Sequence, residues 1–358
     1  MRVVTQAANY KLEEVLDFAD PVKDGKRPIM KVAFCGICGS DVHTWELADN
    51  NPGIVTGHEF AGVIVDPGER TDLKVGDKVI GYPITPCGEC EFCKSGRDFM
   101  CGNNLYSPGI FFKHLPGAMA EYFQPMKSEY ILKVPDSVPL HVAAMAEPAN
   151  IALRGCNSID VGPGDKVLVA GGGIIGSLTA QWAKWLGADY VAMTEINKER
   201  AKVAVEFGVV DDVFDPTEEG VVEKINEKVD GGYSKGGGFN KFIDCTGAGA
   251  AIDFGVSVMK KAGKVALVGV NWKPVPIMTV NVLLKQLTLV GIMSAPIAGF
   301  KTVLDAVADG SFKLEQYMTK LIPFEMDALD AAYRELHDPT NNQMKIMVKI
   351  DPTMGDKD

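Results

Sequence analysis

The chain is 358 residues long, and at about 150 residues per domain that length predicts two domains or three. Hydrophobic residues make up 46% and charged residues 23%, ordinary for a folded globular chain, which excludes a disordered one. The 36 basic against 47 acidic side chains leave a net charge of −11, so there is no basic field to hold a nucleic-acid backbone.

Residues 1–15 mix charges and lack the apolar core of a secretory signal. The longest apolar stretch, 287–300, is broken by Gly291, Ser294, Pro296 and Gly299 and falls short of the ~18 residues of a membrane span. Both observations predict a cytoplasmic chain. Up to about residue 150, short β-like runs punctuated by Gly and Pro predict a twisted antiparallel or barrel-like domain. Seven of the eight cysteines fall in the first 156 residues, and in a reducing compartment they argue for metal or redox chemistry over disulfides.

Cys87, Cys90, Cys93 and Cys101 read C-x2-C-x2-C-x7-C. Four thiolates on one loop complete a tetrahedral shell with no open position, as a structural zinc requires. An iron–sulfur cluster is the alternative, but no proline follows the last cysteine. A second group is dispersed: Cys38 in CGICGSDVH, His58 and Glu59 in GHEF, and Glu147 in AEPAN. One thiolate, one imidazole and carboxylates suit a catalytic zinc that keeps a position for substrate. Pro148 should bias Glu147 away from regular helix and toward a cleft. Cys35, Cys156 and Cys245 read as core thiols.

From residue 165 to 293 strands alternate with helices. KVLVA (166–170) leads through a glycine turn to a helical run over 174–186. DYVAMTE (189–195), NKERAKVAVEFG (197–208), KFIDCTG (241–247), AIDFGVSVMKK (251–261), KVALVGV (264–270) and LTLVGIM (287–293) follow. This alternation predicts βαβ units on a parallel sheet, an α/β domain over 154–293. DGGYSKGGGF (230–239) reads as a surface loop. The tail, with helices near 297–309 and 326–337 and a last strand at 343–350, is too small a core to stand alone. It should pack on residues 1–153.

In VLVAGGGIIG, Gly171, Gly173 and Gly176 stand in G-x-G-x-x-G register between strand and helix. The first glycine permits the turn, the second lets the backbone approach a pyrophosphate, and the third lets helix and strand pack closely. The helix start at Ile174 and Ile175 offers free amides and a partial positive charge to the phosphates. Glu195, 19 residues after Gly176, ends the next strand, where an acid binds the ribose hydroxyls. A 2′-phosphate beside it would be repelled by about 4 kcal/mol at 4 Å and effective ε of 20. Lys198 and Arg200 soften that repulsion; NAD is favoured over NADP.

Together, CGSDVH (38–43), GHEFAG (57–62), the four-cysteine lobe, GGGIIG (171–176) and KVALVG (264–269) resemble the zinc-containing medium-chain dehydrogenase/reductase family. CGICGSDVHTWE, SPGIFF, the Glu147–Pro148 pair and KIMVKIDP look most like its sorbitol (polyol) dehydrogenase branch. The resemblance implies a GroES-like β-rich catalytic domain around a doubly wound Rossmann domain, and a homodimer or homotetramer. It implies two zinc ions per subunit, with Cys38, His58 and Glu147 as catalytic-metal ligands. In the polyol branch Glu59 is a ligand and the Glu147 position acts through water, so their roles stay open. Asp41 would orient His58, and Ser40 and His43 would relay the alcohol proton to solvent as hydride leaves for the nicotinamide.

One departure bears on substrate: Met293 and Ser294 stand where sorbitol dehydrogenases carry an Arg-Tyr pair. Trp45, Phe111, Phe112 and Met119 either line a pocket there or are ordinary core. The expected reaction is oxidation of a polyol or sugar-derived secondary alcohol. The alternatives are an apolar secondary alcohol such as a terpenoid or hydroxysteroid, an NADPH-linked reductase, and a non-catalytic nucleotide-binding relative.

Overall fold

The computed structural model describes residues 1–50, 52–84, 86–101 and 116–355. The chain divides into two compact units, Met1–Glu147 with Pro296–Asp358, and Pro148–Ala295. In chain order the first unit begins with strands β1 (Val3–Ala8), β2 (Lys11–Val15) and β3 (Ile29–Gly36), then helix α1 (Gly39–Glu46). Strands β4 (Ile54–Val55), β5 (Glu59–Asp66) and β6 (Lys78–Gly81) follow, then the short helix α2 (Glu91–Lys94). After these come β7 (Tyr122–Phe123), β8 (Ile131–Lys133) and α3 (Leu140–Ala143).

Helix α4 (Ala146–Ser158) carries the chain from one unit into the other. The second unit holds β9 (Lys166–Ala170), α5 (Ile174–Trp185), β10 (Tyr190–Thr194), α6 (Lys198–Glu206), β11 (Asp212–Phe214) and α7 (Val221–Lys228). It continues with β12 (Phe239–Asp244), α8 (Gly249–Ser257), β13 (Met259–Leu267), α9 (Thr279–Lys285) and β14 (Thr288–Gly291). The tail, which belongs to the first unit, supplies α10 (Ile297–Ala308), β15 (Met318–Pro323), α11 (Met326–His337) and β16 (Lys345–Lys349).

The first unit is built on a seven-stranded sheet, ordered β15-β16-β3-β5-β6-β8 with β7 beside β3, and a three-stranded sheet β2-β1-β4. Pairing is antiparallel except between β15 and β16. Its core joins Met30, Val32, Phe60 and Phe123 to Ile346 and Val348 of the last strand and Leu329, Ala332 and Tyr333 of α11. The tail thus packs on the first unit, as its own small apolar content required.

The second unit is a six-stranded parallel sheet in the order β11-β10-β9-β12-β13-β14. Counted within the unit this is 3-2-1-4-5-6, the dinucleotide-binding order, whose ligand crevice lies beyond the carboxyl ends of the two central strands. Those strands are β9 and β12. Val167, Leu168, Val169 and Ala170 of β9 are fully buried, which explains why the strand reads as an unbroken apolar run. Among the described residues no helix is long and apolar enough to cross a membrane.

Several expectations are corrected. Glu147 and Pro148 lie in the first turn of α4 instead of outside a helix. A first-turn proline forfeits only an amide that had no intrahelical partner. The helical reading of 251–261 ends at Ser257, because Met259 and the residues after it join β13. The tail carries a second strand, β15, beside its last one, and the parallel sheet of the second unit recruits β11, which has only three residues. Trp45 and Met119 are core, each 1% exposed. Phe111 and Phe112, expected with them, lie outside the described residues, as does the SPGIFF segment.

Candidate functional site

Strand β3 delivers Cys35 into the core and ends at Gly36, and Cys38 then becomes the N-cap of α1. The Asp41 carboxylate reaches back: its Oδ2 accepts the Cys38 amide at 2.9 Å. Its other oxygen lies 3.5 Å from His58 Nδ1. One carboxylate therefore holds both the backbone of Cys38 and the ring of His58. Among the described residues neither Asp41 Oδ1 nor His58 Nδ1 has another hydrogen-bond partner, although both are buried.

His58 and Glu59 lie at the entry to β5, where Gly57 takes a left-handed φ of +96°. The Cys38 thiol, a His58 ring nitrogen and a Glu59 carboxylate oxygen lie within 4.8 Å of one another. Ser40 Oγ stands 3.5 Å from His58 Nε2. Burial works against charge on His58, but Asp41 and Cys38 beside it outweigh that and hold its pKa well above the usual range. Cysteine sulfur, imidazole nitrogen and carboxylate oxygen converging in one buried pocket form a donor set that fits zinc.

Glu147 stands outside that triangle but near it. Burial pushes its pKa up to about 7, with His58 pulling it down and Glu59 pushing it further up. His43 is exposed on α1. The sequence reading missed Lys345: from β16 its ammonium donates to both oxygens of Glu59, at 2.7 and 2.5 Å, and to Ile37 O at 3.1 Å. Lys345 opens β16 immediately before the apolar run 346–348 and is buried with it, a placement that only the fold reveals.

The four-cysteine loop also closes on itself. The thiols of Cys87, Cys90, Cys93 and Cys101 all lie within 4.8 Å of one another, with described Sγ–Sγ separations of 3.5 to 3.9 Å. A tetrahedral zinc with Zn–S of about 2.3 Å requires sulfurs about 3.8 Å apart, so the loop fits that ion. The amides of Glu89 and Cys90 donate to Cys87 Sγ and lower its pKa to about 6, which favours the thiolate. Burial pushes Cys93 up to about 12.

In the second unit the glycine turn follows β9. Gly171 has φ +96°, and a Cβ there would press on Thr246. A Cβ on Gly176 would collide with the Gly171 carbonyl, whereas one on Gly173 would meet nothing nearer than Arg200 Nη1 at 4.0 Å. Gly173 is the N-cap of α5 and offers no side-chain cap, leaving the amides of Ile174 and Ile175 at an open helix start. Glu195, at the end of β10, accepts from Gly172 N at 2.5 Å and Asn197 N at 2.7 Å. Asn197 in turn caps α6 through Glu199 N and Arg200 N.

The loop after β12 was not singled out by the sequence reading. Buried Asp244 accepts from Thr246 N, Thr246 Oγ1 and Gly247 N, fixing DCTG beside Gly171. Cys156 is buried and Cys245 half-buried, the latter 3.6 Å from Thr179 Oγ1. Met293 is 76% exposed, and Ser294 has φ +60°.

Two family descriptions match the chain: an alcohol dehydrogenase GroES-like domain over residues 26–136 and a zinc-binding dehydrogenase over 175–309. A sorbitol dehydrogenase of Bombyx mori is 32% identical over 338 residues, covering 90% of this chain and 91% of its own. A D-arabitol-phosphate dehydrogenase of Enterococcus avium is 30% identical over 359 residues, covering 98% and 97%. The crystal structure of 2R,3R-butanediol dehydrogenase from Bacillus subtilis superposes with a TM-score of 0.85 at 26% identity, covering 98% of this chain and 99% of its own. Motifs, sheet order and these likenesses agree, and the chain belongs to the polyol branch of the zinc-containing medium-chain dehydrogenase/reductase family, oxidoreductases that act on CH–OH groups with a nicotinamide cofactor.

Proposed function

We propose that the protein is a zinc-dependent, NAD-linked dehydrogenase that interconverts a polyol or sugar-derived secondary alcohol and its ketone. The observation that carries this reading is the convergence of Cys38, His58 and Glu59 within 4.8 Å. Cys38, His58 and Glu59 hold the catalytic zinc, with Glu147 as the reserve carboxylate. Cys87, Cys90, Cys93 and Cys101 hold a second zinc that braces their loop. When bound, the catalytic ion supplies a Lewis acid for the alcohol oxygen and the dinucleotide an acceptor for hydride.

Asp41 holds His58 with Nε2 toward the donor cluster, since its carboxylate faces Nδ1. Ser40 Oγ, 3.5 Å from that Nε2, takes the alcohol proton, and exposed His43 passes it to solvent. The open start of α5 and the amides around Gly171, Gly173 and Gly176 bind the pyrophosphate. Glu195 binds the ribose hydroxyls, and its negative charge favours NAD over NADP despite Arg200 nearby. Sorbitol and arabitol phosphate, named for the relatives, support a hydroxylated substrate. A cytoplasmic homodimer or homotetramer completes the reading.

A second reading rests on Met293 and Ser294, which offer no charged donor to a polyol. An apolar site discriminates weakly among hydroxylated analogues, so a less hydroxylated secondary alcohol is its substrate. Steady-state formation of NADH and NADPH across polyols, sugar phosphates, diols and cyclic apolar alcohols separates the two. Turnover of a polyol with NAD and zinc supports the first; preference for the cyclic alcohol supports the second; no turnover of any alcohol by zinc-loaded protein refutes both.

A further inference from the structure

We infer that Tyr333, Thr56 and Gln6 are positioning residues that fix the metal-ligand segments from behind. The inference rests on the proposed zinc site and extends it to three residues far apart in the chain. Tyr333, on α11, is 1% exposed, and its hydroxyl lies 3.1 Å from Thr56 Oγ1. Thr56 is also buried and stands two residues before His58, with only Gly57 between them. Gln6, on β1, is 1% exposed and donates from Nε2 to the Asp41 main-chain oxygen at 2.7 Å. It lies beside the Tyr333 hydroxyl as well.

Two tethers therefore run to the donor cluster. Tyr333 pins Thr56 and so the approach to His58. Gln6 pins Asp41, whose carboxylate holds Cys38 N and faces His58 Nδ1. Packing alone does not call for these groups. Phenylalanine at 333 and valine at 56 would fill nearly the same volume with no polar atoms to desolvate. Buried hydroxyls and amides cost stability unless paired; the two hydroxyls pair with each other and Gln6 Nε2 pairs with the Asp41 carbonyl, while Gln6 Oε1 has no partner among the described residues. Main-chain bonds from Met119 N to Thr56 O and from Ala118 N to Gly57 O already hold the segment before His58, where Gly57 has φ +96°, and the Tyr333 hydroxyl adds a side-chain tether to it. Burial raises the Tyr333 pKa well above its ordinary value.

The test uses the zinc-loaded full chain. Zinc release to a chelator is followed in the parent, in Tyr333→Phe, in Thr56→Val, in the double variant and in Thr56→Ser, alongside visible spectra after Co2+ replaces the catalytic ion. Outer partners of metal ligands typically change affinity by about 10–100-fold. The expected result is about tenfold faster loss of one zinc equivalent in Tyr333→Phe and in Thr56→Val, with a shifted cobalt band. The double variant should be no worse than either single one, since both remove the same hydrogen bond. Thr56→Ser keeps the hydroxyl and should behave as the parent. The zinc in the four-cysteine loop serves as the internal control for folding. Parental release rates and cobalt spectra in Tyr333→Phe and Thr56→Val overturn the inference while leaving the zinc site standing. Equal loss of both zinc equivalents shows general loosening and also overturns it. A parent that holds zinc only in the four-cysteine loop overturns the zinc site itself.

Discussion

Lys345 and Glu59 are 286 residues apart in the chain, yet the ammonium of one lies 2.7 and 2.5 Å from the two carboxylate oxygens of the other, with both side chains almost wholly buried. The pair joins the last strand to the donor cluster. In the proposed function Glu59 then has two claimants, the lysine and a divalent ion.

Removing the lysine separates those claims. Lys345→Met leaves the Glu59 charge buried without its partner, which ordinarily costs about 3–5 kcal/mol. Thermal unfolding of chelator-treated protein should show that loss. Added zinc should recover part of it, because the ion supplies the missing positive charge. A variant as stable as the parent without metal would show that Glu59 does not depend on Lys345.

The glycine turn offers a contrast between two neighbouring alanines. Gly176→Ala must displace the Gly171 carbonyl and should destabilise the second unit by about 1–3 kcal/mol. Gly173→Ala meets no atom closer than 4.0 Å and has an ordinary φ of −72°, so it should fold as the parent does. Its added methyl should nonetheless weaken NADH binding about tenfold, read by fluorescence titration, if the pyrophosphate approaches that backbone. Unchanged affinity in Gly173→Ala would move the phosphates elsewhere.

The four-cysteine loop should lose its zinc alone. Cys93→Ser removes one corner of the tetrahedron, so metal analysis should fall from two equivalents toward one, with a lower Tm and three newly reactive thiols. Retention of both equivalents would mean that three cysteines suffice.

A pH effect is expected far from the metal. Buried Lys285 donates to Val256 O and Ser257 O at the end of α8, and burial lowers its pKa to about 8 from an ordinary 10.5. Between those values the unfolded chain binds more protons than the folded one, so stability rises with pH through that window and the full cost is present below 8. Lys285→Met abolishes that cost. The stability of the variant relative to the parent should therefore decline by up to about 3 kcal/mol from pH 7 to 10.5, at 1.36 kcal/mol per pH unit. Parallel stability curves for variant and parent across that range would refute it.

The second unit was largely legible because its signals are local. An apolar strand, a glycine turn and a helix lie within 171–185 and its flanks, and each residue's role follows from its neighbours in sequence. The four cysteines were legible for the same reason: a 15-residue loop carries the complete donor set, from Cys87 to Cys101. Boundaries failed where competition was tertiary. The helical pattern of α8 runs on in sequence past Ser257, but Met259 finds a strand partner in Phe239 and the helix stops. The Glu147–Pro148 pair suggests a break in sequence, but in the first turn of α4 the proline costs little and the helix includes both residues.

What the sequence determined by itself was the inventory: which residue types could ligate a metal, which turn could bind a dinucleotide, and that two kinds of domain were present. Spacing alone constrains such features, because the atoms involved are joined by short stretches of chain. Only the tertiary structure decided that Glu59 is shared with Lys345, that Asp41 bridges Cys38 and His58, and that Tyr333 and Gln6 hold those segments from the rear. Those partners come from the two ends of the chain. No periodicity encodes such distant pairings; they arise when one sheet gathers β16 against β3 and a buried charge or hydroxyl must be satisfied by whatever polar group the packing brings to it.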